Sequence, residues 1–177
     1  MVIVCCAVST VSSEIYIVGG YTSGVDVLDT ATLNWKPELH ARDMPEERLF
    51  AAAVVLKKKY LVVTGGYPVT GSCLIYDIWC NRWSSTPASM DMIEARHGHT
   101  ATVLDRKIVV AGGGDHDNNE LASVECIDAD ALLEYTPLHY PLPDRVMNRI
   151  FEIGKFEREC IHCEVSDKPK AKKHKTS

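Results

Sequence analysis

The chain has 177 residues, with 19 Lys+Arg against 24 Asp+Glu and a formal net charge of -5. That length suits one domain, and 46% hydrophobic residues exclude a disordered polymer. The acidic balance argues against nucleic-acid binding, which needs a basic footprint, and no apolar run approaches the ~18 residues of a membrane-spanning helix.

The chain opens on MVIVCCAV, apolar but with no preceding Lys or Arg, so the positive start of a secretory signal is missing. The repeat pattern gives this run another role, the first strand of a repeat. Ile15 to Tyr21 reads IYIVGGY, an apolar β-branched run stopped by a glycine pair. Asp29 comes next, six residues before Trp35.

The second copy is the fullest. Arg48 leads RLFAAAVVLKKKY, LVVTGGY spans Leu61 to Tyr67, and Asp77 stands six residues before Trp83. Four short strands are expected here, near Ala51 to Leu56, Tyr60 to Thr64, Cys73 to Tyr76 and Arg82 to Ser84. Lysines, glycines and an Asp-to-Asn turn break them. In the third copy Arg96 leads RHGHTATVLDRKI, followed by IVVAGGG from Ile108 to Gly114. Arg48 to Arg96 and Gly65 to Gly113 are each 48 residues, so these segments align without a gap. Asp128 sits six residues before Glu134, and Tyr135 follows Glu134, so the tryptophan place is degenerate. Four short strands in about 47 residues describe one blade of a β-propeller.

After Tyr135 the pattern changes. Pro137, Pro141 and Pro143 mark a connector, and Asp144 could cap a helix carrying Val146, Met147, Ile150, Ile153 and Phe156. Cys160 and Cys163 lack the second ligand pair of a structural zinc site. The last ten residues, Lys168 to Ser177, hold five lysines and no acid, a disordered basic tail. The rest of the chain, with 14 Lys+Arg against 24 Asp+Glu, is correspondingly more acidic.

The Arg-led strand, the Gly-Gly stop, the Tyr76-Asp77 pair and the Trp six residues after the Asp resemble Kelch repeats. The resemblance covers about residues 1 to 138. It implies an all-β fold: a partial Kelch-type propeller of about three four-stranded blades, with a short C-terminal helix and a basic tail. The blades fall at about 1–46, 47–94 and 95–138, and residues 139–177 form the connector, helix and tail. Propellers of this family usually close with about six blades. The open ring has three readings: a truncated piece, two chains completing one ring, or a cover supplied by the C-terminal segment.

The resemblance further implies a non-catalytic protein-interaction module that displays blade loops from a rigid scaffold, with no cofactor. Arg48 and Arg96 open equivalent strands, and two guanidiniums at one mouth suit an acidic protein segment; the alternative is that each Arg ties down its neighbouring loop. Tyr21, Tyr67, Asp115 and His116 lie on the displayed loops, and His97 and His99 are read as structural rather than as ligands of a metal. No catalytic residues, metal site, nucleic-acid partner or membrane contact are expected. The alternatives are a fragment of a propeller enzyme of the sugar oxidase or isomerase type, or a truncated product without independent activity. Seven cysteines, odd in number and irregularly spaced, point to a reducing compartment, cytoplasmic or nuclear.

Overall fold

The computed structural model describes residues 7–37 and 41–136. The expected C-terminal helix, the Cys160/Cys163 pair and the basic tail lie outside the described residues.

Three antiparallel meanders succeed one another along the chain. The first holds β1 (Ala7–Val11), β2 (Glu14–Val18), β3 (Val25–Asp29) and β4 (Asn34–Trp35), in that spatial order. The second holds β5 (Ala52–Leu56), β6 (Tyr60–Thr64), β7 (Cys73–Asp77) and β8 (Arg82–Ser85). The third has only β9 (Thr100–Leu104), β10 (Lys107–Ala111) and β11 (Val124–Asp128), followed by the short helix α1 (Ala129–Leu133). The leading strands β1, β5 and β9 are neighbours across the sheets, so each sheet is a blade and its first strand is the innermost.

Burial explains the sequence pattern of each blade. In β6 all five residues are buried, because blade two is covered on both faces. It therefore reads as a continuous apolar run rather than an alternation. Its Leu61 and Val63, with Leu74 and Tyr76, pack on Tyr16, Val18 and Val27 of blade one. Its Val62, Cys73 and Ile75 pack on Ile108, Val110 and Ile127 of blade three.

Two expectations need correction. The gapless alignment of blades two and three is off by one residue. β5 and β6 are joined by three residues, Lys57 to Lys59, whereas β9 and β10 are joined by Asp105 and Arg106 alone. Both turns place two residues at positive φ, as tight hairpins require; blade two simply has one residue more. The glycine pair equivalent to Gly65-Gly66 is therefore Gly112-Gly113, and Gly114 corresponds to Tyr67.

The third blade is also not four-stranded. Asp29, Asp77 and Asp128 each accept, through Oδ1, from the amides two and three residues on, at 2.9–3.1 Å. In blade two the turn then passes through Asn81 at φ 51° and returns as β8. Asn tolerates that left-handed conformation. Blade three offers Ala129-Asp130-Ala131-Leu132-Leu133, a run rich in good helix formers. The same aspartate cap then starts a helix, and Leu132 is driven into the core between blades two and three.

Candidate functional site

The β2–β3, β6–β7 and β10–β11 loops and the connections into β5 and β9 all emerge at one end of the blades. The glycine pairs sit there, and they form the contact between neighbours. Gly20 N donates to Arg48 O at 3.1 Å, and Gly66 N donates to Arg96 O at 2.9 Å. A Cβ on Gly65 would lie 2.5 Å from that same Arg96 oxygen, at φ 55°, so both close approach and backbone freedom demand glycine.

Arg48 and Arg96 anchor this end from within. Arg48 is 2% exposed and Arg96 fully buried. Arg48 donates through Nη1 to the Gly65 and Ser72 carbonyls, both at 2.9 Å, through Nη2 to Ser72 Oγ at 2.7 Å, and also to the Glu46 carboxylate. Arg96 repeats the pattern with Gly112 O at 3.0 Å, Ser123 O at 3.3 Å and Ser123 Oγ at 2.9 Å. It adds Glu125 at 2.5 Å and Glu94 at 3.3 Å. Each guanidinium thus stitches the loop after its own glycine pair. This placement does not support the expectation that they meet an acidic segment at the mouth, since neither is presented to solvent.

Other expected residues are presented. Tyr21 and Tyr67 come directly after their glycine pairs and are exposed. Asp115 is held inside its loop: Oδ1 accepts from the Asp117 and Asn119 amides at 2.9 and 2.8 Å, and Oδ2 from Asn119 Nδ2 at 2.9 Å. Asn119's side-chain and backbone bonds together keep this carboxyl below its ordinary value. His116 and Asp117 stand out from that loop.

The loops of blades two and three converge on an aromatic cluster. Leu49 and Tyr67 exchange backbone hydrogen bonds at 3.0 and 2.7 Å. His97 and Gly114 do likewise at 3.0 and 2.9 Å, and Gly98 N donates to Phe50 O at 2.8 Å. The His97 ring consequently lies 6.1 Å from Phe50 and 6.3 Å from Tyr67, edge-on to the latter. Phe50 and Tyr67 are both about half exposed.

Phe50 was not singled out from the sequence; the available signal was a large aromatic where the next repeat has Gly98. His97 and His99 part company because Gly98 sits at φ 63°. His99 turns inward, with Nε2 2.9 Å from Thr64 Oγ1. Burial first, and the Arg96 and His97 charges second, push its imidazole down to about 4. Among the described residues no group of three or more His, Cys, Asp or Glu side chains is placed to hold a metal ion.

Stacked antiparallel meanders, joined at their glycine-pair ends and presenting loops from that end, define the chain as a β-propeller blade array. The family profile described as the KLHDC2/KLHL20/DRC7 Kelch-repeats domain matches residues 4–137, and the chain belongs to the Kelch-repeat family. It is 34% identical over 95 residues to a Xenopus laevis protein named "Rab9 effector protein with kelch motifs", covering 50% of this chain and 26% of that protein. It is also 34% identical over 85 residues to the Oryza sativa subsp. japonica "tRNA wybutosine-synthesizing protein 2/3/4", covering 45% of this chain and 8% of that one. The chain therefore matches only a minor part of the length of either relative.

Proposed function

We propose that this chain is a non-catalytic protein-interaction module whose partner seats on the glycine-pair end, at Phe50, Tyr67 and His97. The observation that carries this is an exposed aromatic cluster on loops locked by two buried arginines. Rings offer large contact area at low entropic cost and recur at the energetic centres of protein interfaces. A surface whose backbone is already fixed loses little freedom on binding. Tyr21 of blade one extends the same end. The odd number and irregular spacing of the seven cysteines favour a reducing, cytoplasmic or nuclear setting.

The test is affinity capture with the full chain and with the Phe50→Ser/Tyr67→Ser variant, compared by quantitative mass spectrometry. A set of proteins that depends on the two rings supports the reading. Identical capture by both, with both folded, overturns it.

A second reading, pairing with another blade, is favoured by the open face of blade three. Val124 is 62% exposed where its blade-two equivalent, Cys73, is fully buried. Gly112 similarly has only Leu121 O within 4 Å of its Cβ position, at 3.7 Å, where Gly19 and Gly65 each meet an arginine carbonyl. A second copy supplying blade one against this face would show as a dimer by light scattering. A monomer at high concentration would exclude it.

A further inference from the structure

The charges of this chain are sorted between the two ends of the blades. Lys57, Lys58 and Lys59 lie in the β5–β6 turn, Arg106 and Lys107 at the β9–β10 turn, and Arg82 at the start of β8. All are at the end opposite the glycine pairs. Carboxylates answer them there: Lys59 pairs with Asp77 at 3.2 Å, Lys57 with Asp130 at 3.3 Å, and Arg106 with Asp130. Lys36 likewise pairs with Glu14 at 3.1 Å and Asp29 at 3.7 Å.

At the glycine-pair end the balance is different. The arginines there, Arg48 and Arg96, are buried and already bonded to Glu46, Glu94 and Glu125. Arg42 is drawn away, its amide bound to Asn81 in the β7–β8 turn and its carbonyl to the Trp83 indole. Among the described residues no lysine or arginine side chain is exposed at this end. Exposed carboxylates do stand there. Glu47 is two residues before Leu49, which pairs with Tyr67. Glu120 pairs with Gly114, which pairs with His97. Asp117 projects from the loop between Gly114 and Glu120, with 84% of its side chain exposed. Three exposed carboxylates thus stand on the segments that carry the aromatic cluster.

We infer that the partner segment is cationic: an arginine- or lysine-bearing stretch of protein lying over the Phe50 and Tyr67 rings and against Glu47, Asp117 and Glu120. This rests on the interaction reading above and fixes its chemistry. A guanidinium or ammonium over an aromatic face is attracted by the ring quadrupole, and the carboxylates steer it inward while repelling acidic segments. The charge is opposite to the one the two arginines suggested from sequence, because those arginines face the protein interior.

The probe is a fluorescent Arg-Gly repeat peptide, with Glu-Gly and Ser-Gly repeats of the same length as controls. Each is titrated with the full chain and followed by anisotropy, at low and at raised salt. The Arg-Gly peptide is expected to bind at least about tenfold more tightly than either control, and to weaken as salt rises. The Phe50→Ser/Tyr67→Ser variant and, separately, the Glu47→Lys/Glu120→Lys variant should each lose about tenfold. Thermal melts confirm that both remain folded. Equal binding of the Ser-Gly or Glu-Gly peptide, sensitive to the two rings, overturns the cationic assignment and leaves the interaction site standing. Arg-Gly binding that ignores Phe50→Ser/Tyr67→Ser overturns the assignment to this face. If ring-dependent capture of cellular proteins is also absent, the interaction reading falls with it.

Discussion

Arg96 shows why one residue type can anchor a repeat. Its guanidinium satisfies three carbonyls, a hydroxyl and two carboxylates while fully buried. Glu125 is held in turn. Burial disfavours its charge, but the Glu94 and Ile93 amides and Arg96 outweigh this and keep its carboxyl below the ordinary value. Arg96→Ala takes the cation away from Glu125 and a donor from each of the carbonyls it bonds, so the expected loss is roughly 3–5 kcal/mol, read from denaturant midpoints. Arg48→Ala should cost less, since its partner Glu46 is half exposed and can be rehydrated. His99 supplies a pH test. An unfolded imidazole takes up its proton near ~6.5, whereas the buried one does so only at about 4. Within that window the unfolded state holds more protons, so stability falls as pH drops from the upper value to the lower. The ceiling is about 3 kcal/mol. In His99→Gln this slope should flatten; an unchanged slope would place the titration elsewhere.

At the scale of the element, the aspartate at the end of β3, β7 and β11 is the decisive punctuation. Its Oδ1 caps two amides in every blade, and the next few residues decide between a returning strand and a helix. Asp128→Ala should destabilise by about 1 kcal/mol, as for other lost helix caps, and unfasten Leu132 from the core; a loss of helical signal with the melting shift would confirm the link. The blade period was legible in sequence because it rests on residues with no substitute: glycines pressed against a neighbour's carbonyl, and the Asp77 cap with Trp83 beside Tyr76 at 4.9 Å between ring centroids. The helix was not legible, because Asp128 reads alike before a turn or a helix. Nor was the one-residue slip, since a hairpin turn absorbs an extra lysine without moving either strand. The arginines had two readings in sequence, tying down a neighbouring loop or meeting an acidic segment, and their burial supports the first: sequence marks the position of a guanidinium, while burial depends on the loop that folds over it. Phe50 was missed because one exposed aromatic in an apolar stretch looks like core.

For the whole molecule, the consequence of stacked blades is that each carries two packing faces. Blade two has both covered, and its Cys73 and Ile75 are fully buried against blade three. The equivalent positions of blade three are Val124 and Cys126, and both are exposed, with Leu104 exposed on the same face. This face has the strand spacing and apolar content of the one that binds blade three to blade two. Cys126 therefore reports directly on whether anything covers it. Alkylation followed by peptide mapping should modify Cys126 in the folded chain at nearly the rate of the denatured protein. Cys73 should resist, since its thiol is enclosed and burial pushes it up to about 12, so that it reacts only when the blade opens. If Cys126 becomes protected as protein concentration rises, a second copy is seated on this face. If it stays reactive at every concentration, the face is open in solution and binding is confined to the glycine-pair end. The aromatic cluster and the blade face lie on different surfaces, so Phe50→Ser/Tyr67→Ser should leave Cys126 reactivity unchanged whichever outcome is found.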